Sequence, residues 1–268
     1  MSSRHRYMIF VAAAAALAIS LGCSFSSFGL DTVRVGDLES ESVTIEREGA
    51  ESVRVTLKMG AGELSVDKGA EELMEGDFTY NVSDWKPEVD YAVTDGLGQL
   101  TIRQRSDKLS IGSDARNTWD LRFNDEIPLD MRIECGAGEP DIDLAGLNIT
   151  ELSVKLGAGS THVNISDNPG LSRVDLDMGV GSADIDLSGP WTQDAEVTIQ
   201  GGIGSMTLRL PSDVGVRVDT TRGLGDLETS GLYREDGSWV NEAYGETDVT
   251  LEISIQTGIG QVVLDVQR

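Results

Sequence analysis

Eight Gly-x-Gly pairs recur along this chain, and their spacing predicts a repeating fold. Around the middle of the chain, the intervals between first glycines (136, 157, 179, 202 and 223) are 21, 22, 23 and 21 residues. The outer intervals are longer, at 36, 40 and 35 residues. One such pair is weak evidence, but eight in a shared frame indicate a solenoid. The pairs are Gly60/Gly62, Gly96/Gly98, Gly136/Gly138, Gly157/Gly159, Gly179/Gly181, Gly202/Gly204, Gly223/Gly225 and Gly258/Gly260.

Apolar residues alternate on both sides of the glycine pairs. Leu152, Val154 and Leu156 precede one pair, and Val163 and Ile165 follow it. This period of two predicts half-buried strands, whereas helical periodicity never exceeds a turn or two. We therefore predict an all-β fold, a β-solenoid of about five or six stacked coils of 21–23 residues with glycine corners. A phosphate-binding loop is excluded because no helix is predicted after any pair.

The N-terminus has the pattern of an export signal. A basic patch, Arg4–Arg6, precedes an apolar run from Met8 to Ile19, which is too short for a membrane-spanning helix. Ser20-Leu21-Gly22-Cys23 resembles the bacterial lipoprotein box, although Ser20 stands where that motif prefers Leu. We expect cleavage before Cys23 and lipid attachment to Cys23. The alternatives are a secreted or periplasmic soluble protein and an uncleaved anchor.

Composition limits the partners and cofactors. The formal net charge is −25, and removal of residues 1–22 would take away Arg4 and Arg6 and change it to −27. Nucleic acid is therefore excluded as a partner, since phosphate binding needs clustered Lys and Arg. With two His and two Cys, neither a His-rich metal centre nor a disulfide scaffold is expected, and no cofactor is predicted.

The predicted organisation has four parts. Residues 1–22 form the signal peptide, and residues 23–50 form the lipidated Cys and a polar tether. Residues 51–128 form an N-terminal β domain, and residues 129–268 form the C-terminal solenoid.

Several motifs together resemble the bacterial toast-rack family, across nearly the whole mature chain. They are Val53–Val55, Leu57–Leu64 with its Gly-Ala-Gly, Asn81, Trp85–Pro87, Leu100–Arg103, Trp119–Leu121 and Ile127–Leu129. The resemblance implies a stacked β architecture on an envelope protein. Similar domains occur in regulators of envelope stress and in adhesin-like proteins, and the resemblance brings no catalytic residues.

Stacking of the coils predicts ladders of side chains on neighbouring strands. Two positions before each first glycine stand Glu134, Lys155, Asp177 and Gln200; five positions after each second glycine stand Asp143, Asn164, Asp186 and Arg209. Both ladders are explained by stability of the stack alone.

A third ladder contains Asp141, His162 and Asp184, and it is a weak candidate for a divalent-cation site. A solvated row is the favoured interpretation, because a flat row converges poorly on one ion. Cys135 occupies a position held by Met59 or Leu156 in other coils, so it is expected to be a core thiol rather than a nucleophile.

Two stretches interrupt the repeat. Residues 104–128 carry Trp119 and Phe123, and residues 232–248 carry Tyr233, Trp239 and Tyr244. Their aromatic residues are interpreted as recognition anchors or as caps on the ends of the stack. Capping is favoured for residues 232–248.

Three functions fit these patterns. The leading hypothesis is a non-catalytic, lipid-anchored envelope protein that presents an acidic solenoid surface to an envelope protein or glycan. The second is a carbohydrate-active β-helix enzyme, but the short coils between 136 and 225 indicate no cleft. The third is a protein that binds cations or cationic peptides.

Overall fold

The computed structural model describes residues 35–105, 114–168 and 170–267, and it is built almost entirely from strands. The predicted signal peptide and Cys23 lie outside the described residues. A short 3₁₀ helix spans Ser83–Trp85. No helix in the described part of the chain is both long and apolar enough to cross a membrane. The strands are β1 (Glu39–Ile45), β2 (Ser52–Lys68), β3 (Met74–Tyr80), β4 (Pro87–Thr94), β5 (Leu97–Gln104), β6 (Asn117–Phe123), β7 (Leu129–Asp143), β8 (Ile149–Asn164), β9 (Arg173–Asp186), β10 (Ala195–Leu210), β11 (Gly215–Leu224), β12 (Leu227–Ser230), β13 (Tyr233–Glu235), β14 (Ser238–Val240) and β15 (Thr250–Val266).

Long parallel strands form the body of the molecule, as the solenoid prediction requires. Their order in space is β2-β7-β8-β9-β10-β15-β11, so the last strand inserts between β10 and β11. The stack therefore departs from chain order at its C-terminal end. The interval of 35 residues between Gly223 and Gly258 contains the β13–β14 hairpin, which accounts for its extra length.

Each long strand bends at its glycine pair. In β8 the buried residues Leu152 and Val154 precede the corner, whereas Thr161 and Val163 follow it, and buried Ile165 comes directly after the strand. The buried positions thus change from even to odd numbers across the corner. Both arms of the strand can then direct side chains into one core, which is the arrangement of a flattened solenoid.

The glycines are required because neighbouring corners approach too closely for side chains. Seven of the eight pairs are in register along the stack. The second glycine of each has a positive φ, which is +147° at Gly204. A Cβ on Gly204 would lie 1.6 Å from the carbonyl oxygen of Gly181 on the next strand. Glycine is the residue that tolerates both conditions.

The prediction of a coil corner at Gly96/Gly98 is wrong. Asp95 and Gly96 form the two-residue turn of the β4–β5 hairpin, with φ of +50° and +80°. Gly98 lies within β5, beside Val53 of β2. An Asp-Gly turn of this kind is typical of a tight antiparallel hairpin, and it produces a Gly-x-Gly match without a coil.

The predicted polar tether over residues 23–50 is wrong for part of its length. Residues 39–45 form β1, which pairs with β3 along its whole length. Its polar side chains find partners on the sheet: Ser42 donates a hydrogen bond to Asp77, and Glu41 pairs with Lys86 at 2.9 Å. The strand lies at one end of the stack, where polar residues suit an exposed edge.

One hydrophobic core runs through the described residues, from Ala50 to Leu264. It crosses the proposed boundary at residue 128 without interruption, because Ile127 and Leu129 are both buried in it. The first solenoid strand, β7, pairs directly with β2 of the N-terminal part.

Candidate interaction surface

Two of the predicted ladders are present in the expected register. Glu134, Lys155, Asp177 and Gln200 lie side by side on successive strands. The ladder also extends to Lys58, whose Nζ lies 3.3 Å from a carboxylate oxygen of Glu134. Opposite charges alternate along most of this row, which avoids repulsion between directly opposed side chains.

In the second ladder, the main ion pair does not join the two residues that are in register. Arg209 faces Asp186 in register, but its guanidinium makes two hydrogen bonds to Asp184, at 2.5 and 2.8 Å. Asp186 is only its secondary partner, at 3.9 Å. The hydrogen bond to Asp184 raises the pKa of Arg209 above its usual range. A bidentate pair is the geometry that arginine forms best with a carboxylate.

The weak candidate column for a cation also holds its register, because Asp141, His162 and Asp184 occupy equivalent positions on three strands. However, both carboxylate oxygens of Asp184 accept hydrogen bonds from Arg209. No group of three or more His, Cys, Asp and Glu side chains within the described residues is arranged to hold a metal ion.

Divalent cations are therefore expected to leave the thermal stability of the native protein unchanged. Adding Zn²⁺ or Ca²⁺ should not shift the melting temperature, because Arg209 occupies Asp184. Arg209→Gln is the matched variant, because it removes the guanidinium that competes with a cation for Asp184. A shift of several degrees in the native protein that disappears in His162→Ala would contradict this expectation.

Cys135 is a core thiol, as predicted. It is buried between Met59 and Leu156 on the neighbouring strands, and burial raises its pKa to about 11. At pH 8 only about one thiol in a thousand would then be ionised. We expect alkylation of Cys135 to require unfolding, measured by mass spectrometry with and without denaturant. Rapid alkylation at pH 8 in the folded state would overturn this prediction.

The interpretation of Trp119 and Phe123 as recognition anchors is wrong. Both lie on β6 and are fully buried, and the Trp119 ring packs edge-on against Phe78 at 5.7 Å. Alternation of Trp119, Leu121 and Phe123 was the signal for a core-facing strand. These residues belong to a sheet that closes the N-terminal end of the stack.

Residues 232–248 include a cap on the C-terminal end of the stack, which is the interpretation favoured from the sequence. The β13–β14 hairpin pairs with Arg217 and Val218 of β11. Trp239 packs against the core while the Arg234 guanidinium lies over its ring at 5.2 Å. Buried Asn241 holds the segment by accepting a hydrogen bond from the amide of Val216.

Two polar side chains, Gln104 and Asn117, fill the outer side of the first glycine corner, at Gly60 and Ala61. We call this pair the polar plug, and the sequence did not predict it. The Gln104 side-chain oxygen accepts hydrogen bonds from the amides of Gly60 and Ala61, at 2.9 and 3.3 Å. Asn117 donates to the carbonyl of Ala61 at 2.7 Å. Gln104 and Asn117 thus supply the hydrogen bonds that a preceding coil would otherwise make. Their separation from the corner by more than forty residues hides this role in the sequence.

An apolar ridge at the corners was also missed. The residues between the paired glycines become larger along the stack, from Ala137 and Ala158 to Val180, Ile203, Ile259 and Leu224. The last four are 51–72% exposed. We call these four side chains the corner ridge. They would have been visible in the sequence as the middle residues of the repeat.

A shallow open groove accompanies the ridge. Val180, Ile203 and Ile259 line it together with the partly buried Met178 and the buried Met206. Gly201 leaves the groove open, because it provides no side chain at a position that Cys135 fills elsewhere. The exposed residues on either side of the middle of the groove are uncharged; they are Ser182, Ser205, Gln200 and Gln256. An apolar strip without charges is unusual on a chain with a net charge of −25.

Two family models match the chain. The model of the N-terminal domain of toast-rack proteins, DUF2154, matches residues 34–170, which is just over half of the chain. The model described as "Cell wall-active antibiotics response LiaF, C-terminal" matches residues 161–264. The first match confirms the resemblance predicted from the sequence. No curated protein matches the chain.

Solved structures of similar fold include a putative cell adhesion protein from Clostridium sporogenes. It is 29% identical, with a TM-score of 0.65, and the alignment covers 86% of this chain and 100% of that one. A putative adhesin from Bacteroides fragilis is 10% identical, with a TM-score of 0.30, and the alignment covers 85% of this chain and 97% of that one.

Proposed function

This chain belongs to the toast-rack family, and on that premise we propose that it is a non-catalytic, lipid-anchored envelope protein. In this proposal, Cys23 carries the lipid and the stack presents its outer surface to another envelope macromolecule. The similarity to a putative cell adhesion protein and the match to a domain named for the response to cell wall-active antibiotics both favour the cell envelope.

The observation that carries the proposal is the regular stack itself. Its strands are held in parallel register over as many as fifteen paired residues, and the connections between successive coils from β7 to β10 are short. Such a surface is rigid and continuous, so it can present side chains in fixed positions without an ordering cost on binding.

The acidic pair Asp184 and Asp186 supports a structural role over a catalytic one. Both carboxylates face the same guanidinium, that of Arg209, and stabilise adjacent strands. A glycoside hydrolase would need two carboxyl groups on opposite sides of a bound sugar.

A deletion strain and an affinity capture test this function. We expect loss of the protein to change sensitivity to cell wall-active antibiotics, adhesion or matrix formation. The intact protein and a Cys23→Ala version should capture the same envelope protein or glycan from native envelopes. A deletion strain that is indifferent in all three assays would contradict the proposal. Cleavage of a polysaccharide by the purified protein, lost in Asp184→Asn, would replace it with an enzymatic function.

A further inference from the structure

The two arms of the bent strands end in four edges, and three of these are extended by further strands. At the N-terminal end, β5 and β4 extend the arm before the corner, and β6, β3 and β1 extend the arm after it. At the C-terminal end, the β13–β14 hairpin extends β11. The fourth edge is β12, which pairs with β15 and with no other strand in the described part of the chain.

The bare edge is longer than β12. The hairpin pairs with β11 only at Arg217 and Val218. Ser238 of β14 still donates a side-chain hydrogen bond to Asp219, but residues 219–230 have no backbone pairing on their outer side among the described residues. Most of these residues are exposed, and Leu224 at the corner is 72% exposed. Peptide groups on such an edge are a template for pairing with another chain.

The bare edge is nearly symmetric about its own corner. Four residues, 219–222, precede Gly223-Leu224-Gly225, and five residues, 226–230, follow it. A two-fold axis through the corner would exchange the arms of two copies and run each arm antiparallel to the other. The β13–β14 hairpin of each copy would then lie beyond the end of β12 in the other copy. This is the self-complementary arrangement of an isologous dimer.

Charge also fits a second copy. Arg222 lies on the arm before the corner, whereas Asp226 and Glu228 lie on the arm after it. Exchange of the arms places Arg222 of each copy against the arm that carries the two acids of the other. A Cβ on Gly223 or Gly225 would point inward, at the carbonyl oxygens of Gly258 and Gly260 on β15, so these two positions place no side-chain atom on the outer side of the corner.

We propose that two copies of this chain associate end to end through the edge formed by residues 219–230, with the two Leu224 side chains adjacent at the two-fold axis. The dimer extends both arms of the sheet and covers the most exposed member of the corner ridge. The inference does not depend on the lipid anchor, because it rests on the end of the stack opposite β1.

Cysteine cross-linking of the full-length protein in cells tests this arrangement. A Leu224→Cys variant should give a disulfide-linked dimer on mild oxidation, at least tenfold above the background of the native chain. The matched control is Ile203→Cys, which is also exposed but lies two strands from the edge. Cross-linking at position 203 and not at 224 would overturn the proposal, as would equal yields at both positions.

Charge reversal gives an independent test on the purified full-length protein. Arg222→Glu and Asp226→Arg should each reduce the dimer fraction, measured by light scattering after size exclusion, because each opposes like charges across the interface. The double variant should restore it. A native protein that is monomeric at tens of micromolar would overturn the proposal. So would a dimer that is unchanged by both single variants.

Discussion

Replacing Gly204 by alanine is expected to prevent stable folding. The new Cβ would lie 1.6 Å from the carbonyl oxygen of Gly181 and 2.7 Å from its carbonyl carbon, both of which are backbone atoms. The adjacent strands would have to separate, which would break their pairing on both sides of the corner. We expect a loss of at least about 4 kcal/mol in the free energy of unfolding, measured by urea denaturation.

Gly237→Ala is the matched control for backbone strain. Gly237 also has a positive φ, +93°, but a Cβ there would meet no atom within 4 Å. It should cost about 1–2 kcal/mol, the ordinary penalty for alanine in a left-handed conformation. If both variants lost the same amount, close approach of the corners would not be what requires glycine.

Replacing Gln104 by leucine should have the second largest effect. The amides of Gly60 and Ala61, and an amide hydrogen of Asn117, would lose their acceptor in a buried site. Each unsatisfied buried donor costs about 1–3 kcal/mol, so we expect a loss of about 3 kcal/mol, measured by the same denaturation.

Gln99→Leu provides the control for Gln104→Leu. Gln99 lies on the same strand, β5, but is exposed. Its replacement should change the free energy of unfolding by less than about 0.5 kcal/mol. A loss below 1 kcal/mol in Gln104→Leu would mean that the first corner does not need its polar plug.

Much of the fold follows from local patterns in the sequence. Alternation of Leu152 and Val154 before the corner, and of Val163 and Ile165 after it, predicts the strands, and the glycine spacing predicts their stacking. The register of the Glu134 and Lys155 ladder follows from the same spacing, because equivalent positions of successive coils become neighbours.

Other features depend on long-range pairing that spacing does not encode. The chain passes through β11 to β14 before β15 inserts between β10 and β11, so strand order in space departs from chain order. Gly96 and Gly98 matched the repeat by residue type alone. In a coil corner the second glycine has a positive φ, whereas in this pair the first one does, and residue type does not reveal that difference.

Side-chain partners were the least predictable part of the site. Arg209 and Asp186 are neighbours in the predicted ladder and in the structure, but the long side chain of Arg209 reaches diagonally to Asp184. The corner ridge is readable in retrospect, from Val180, Ile203 and Leu224 at the middle positions of the pairs. Its exposure depends on the bend, which the apolar character of these residues does not reveal.

Metabolic labelling with a fatty acid, followed by membrane fractionation, tests the proposed anchored function most directly. We expect the native protein to be labelled and found with the membranes. Its Cys23→Ala version should be unlabelled and released from the membrane fraction. An unlabelled native protein, or a Cys23→Ala protein that stays with the membranes, would rule out a lipid anchor at Cys23.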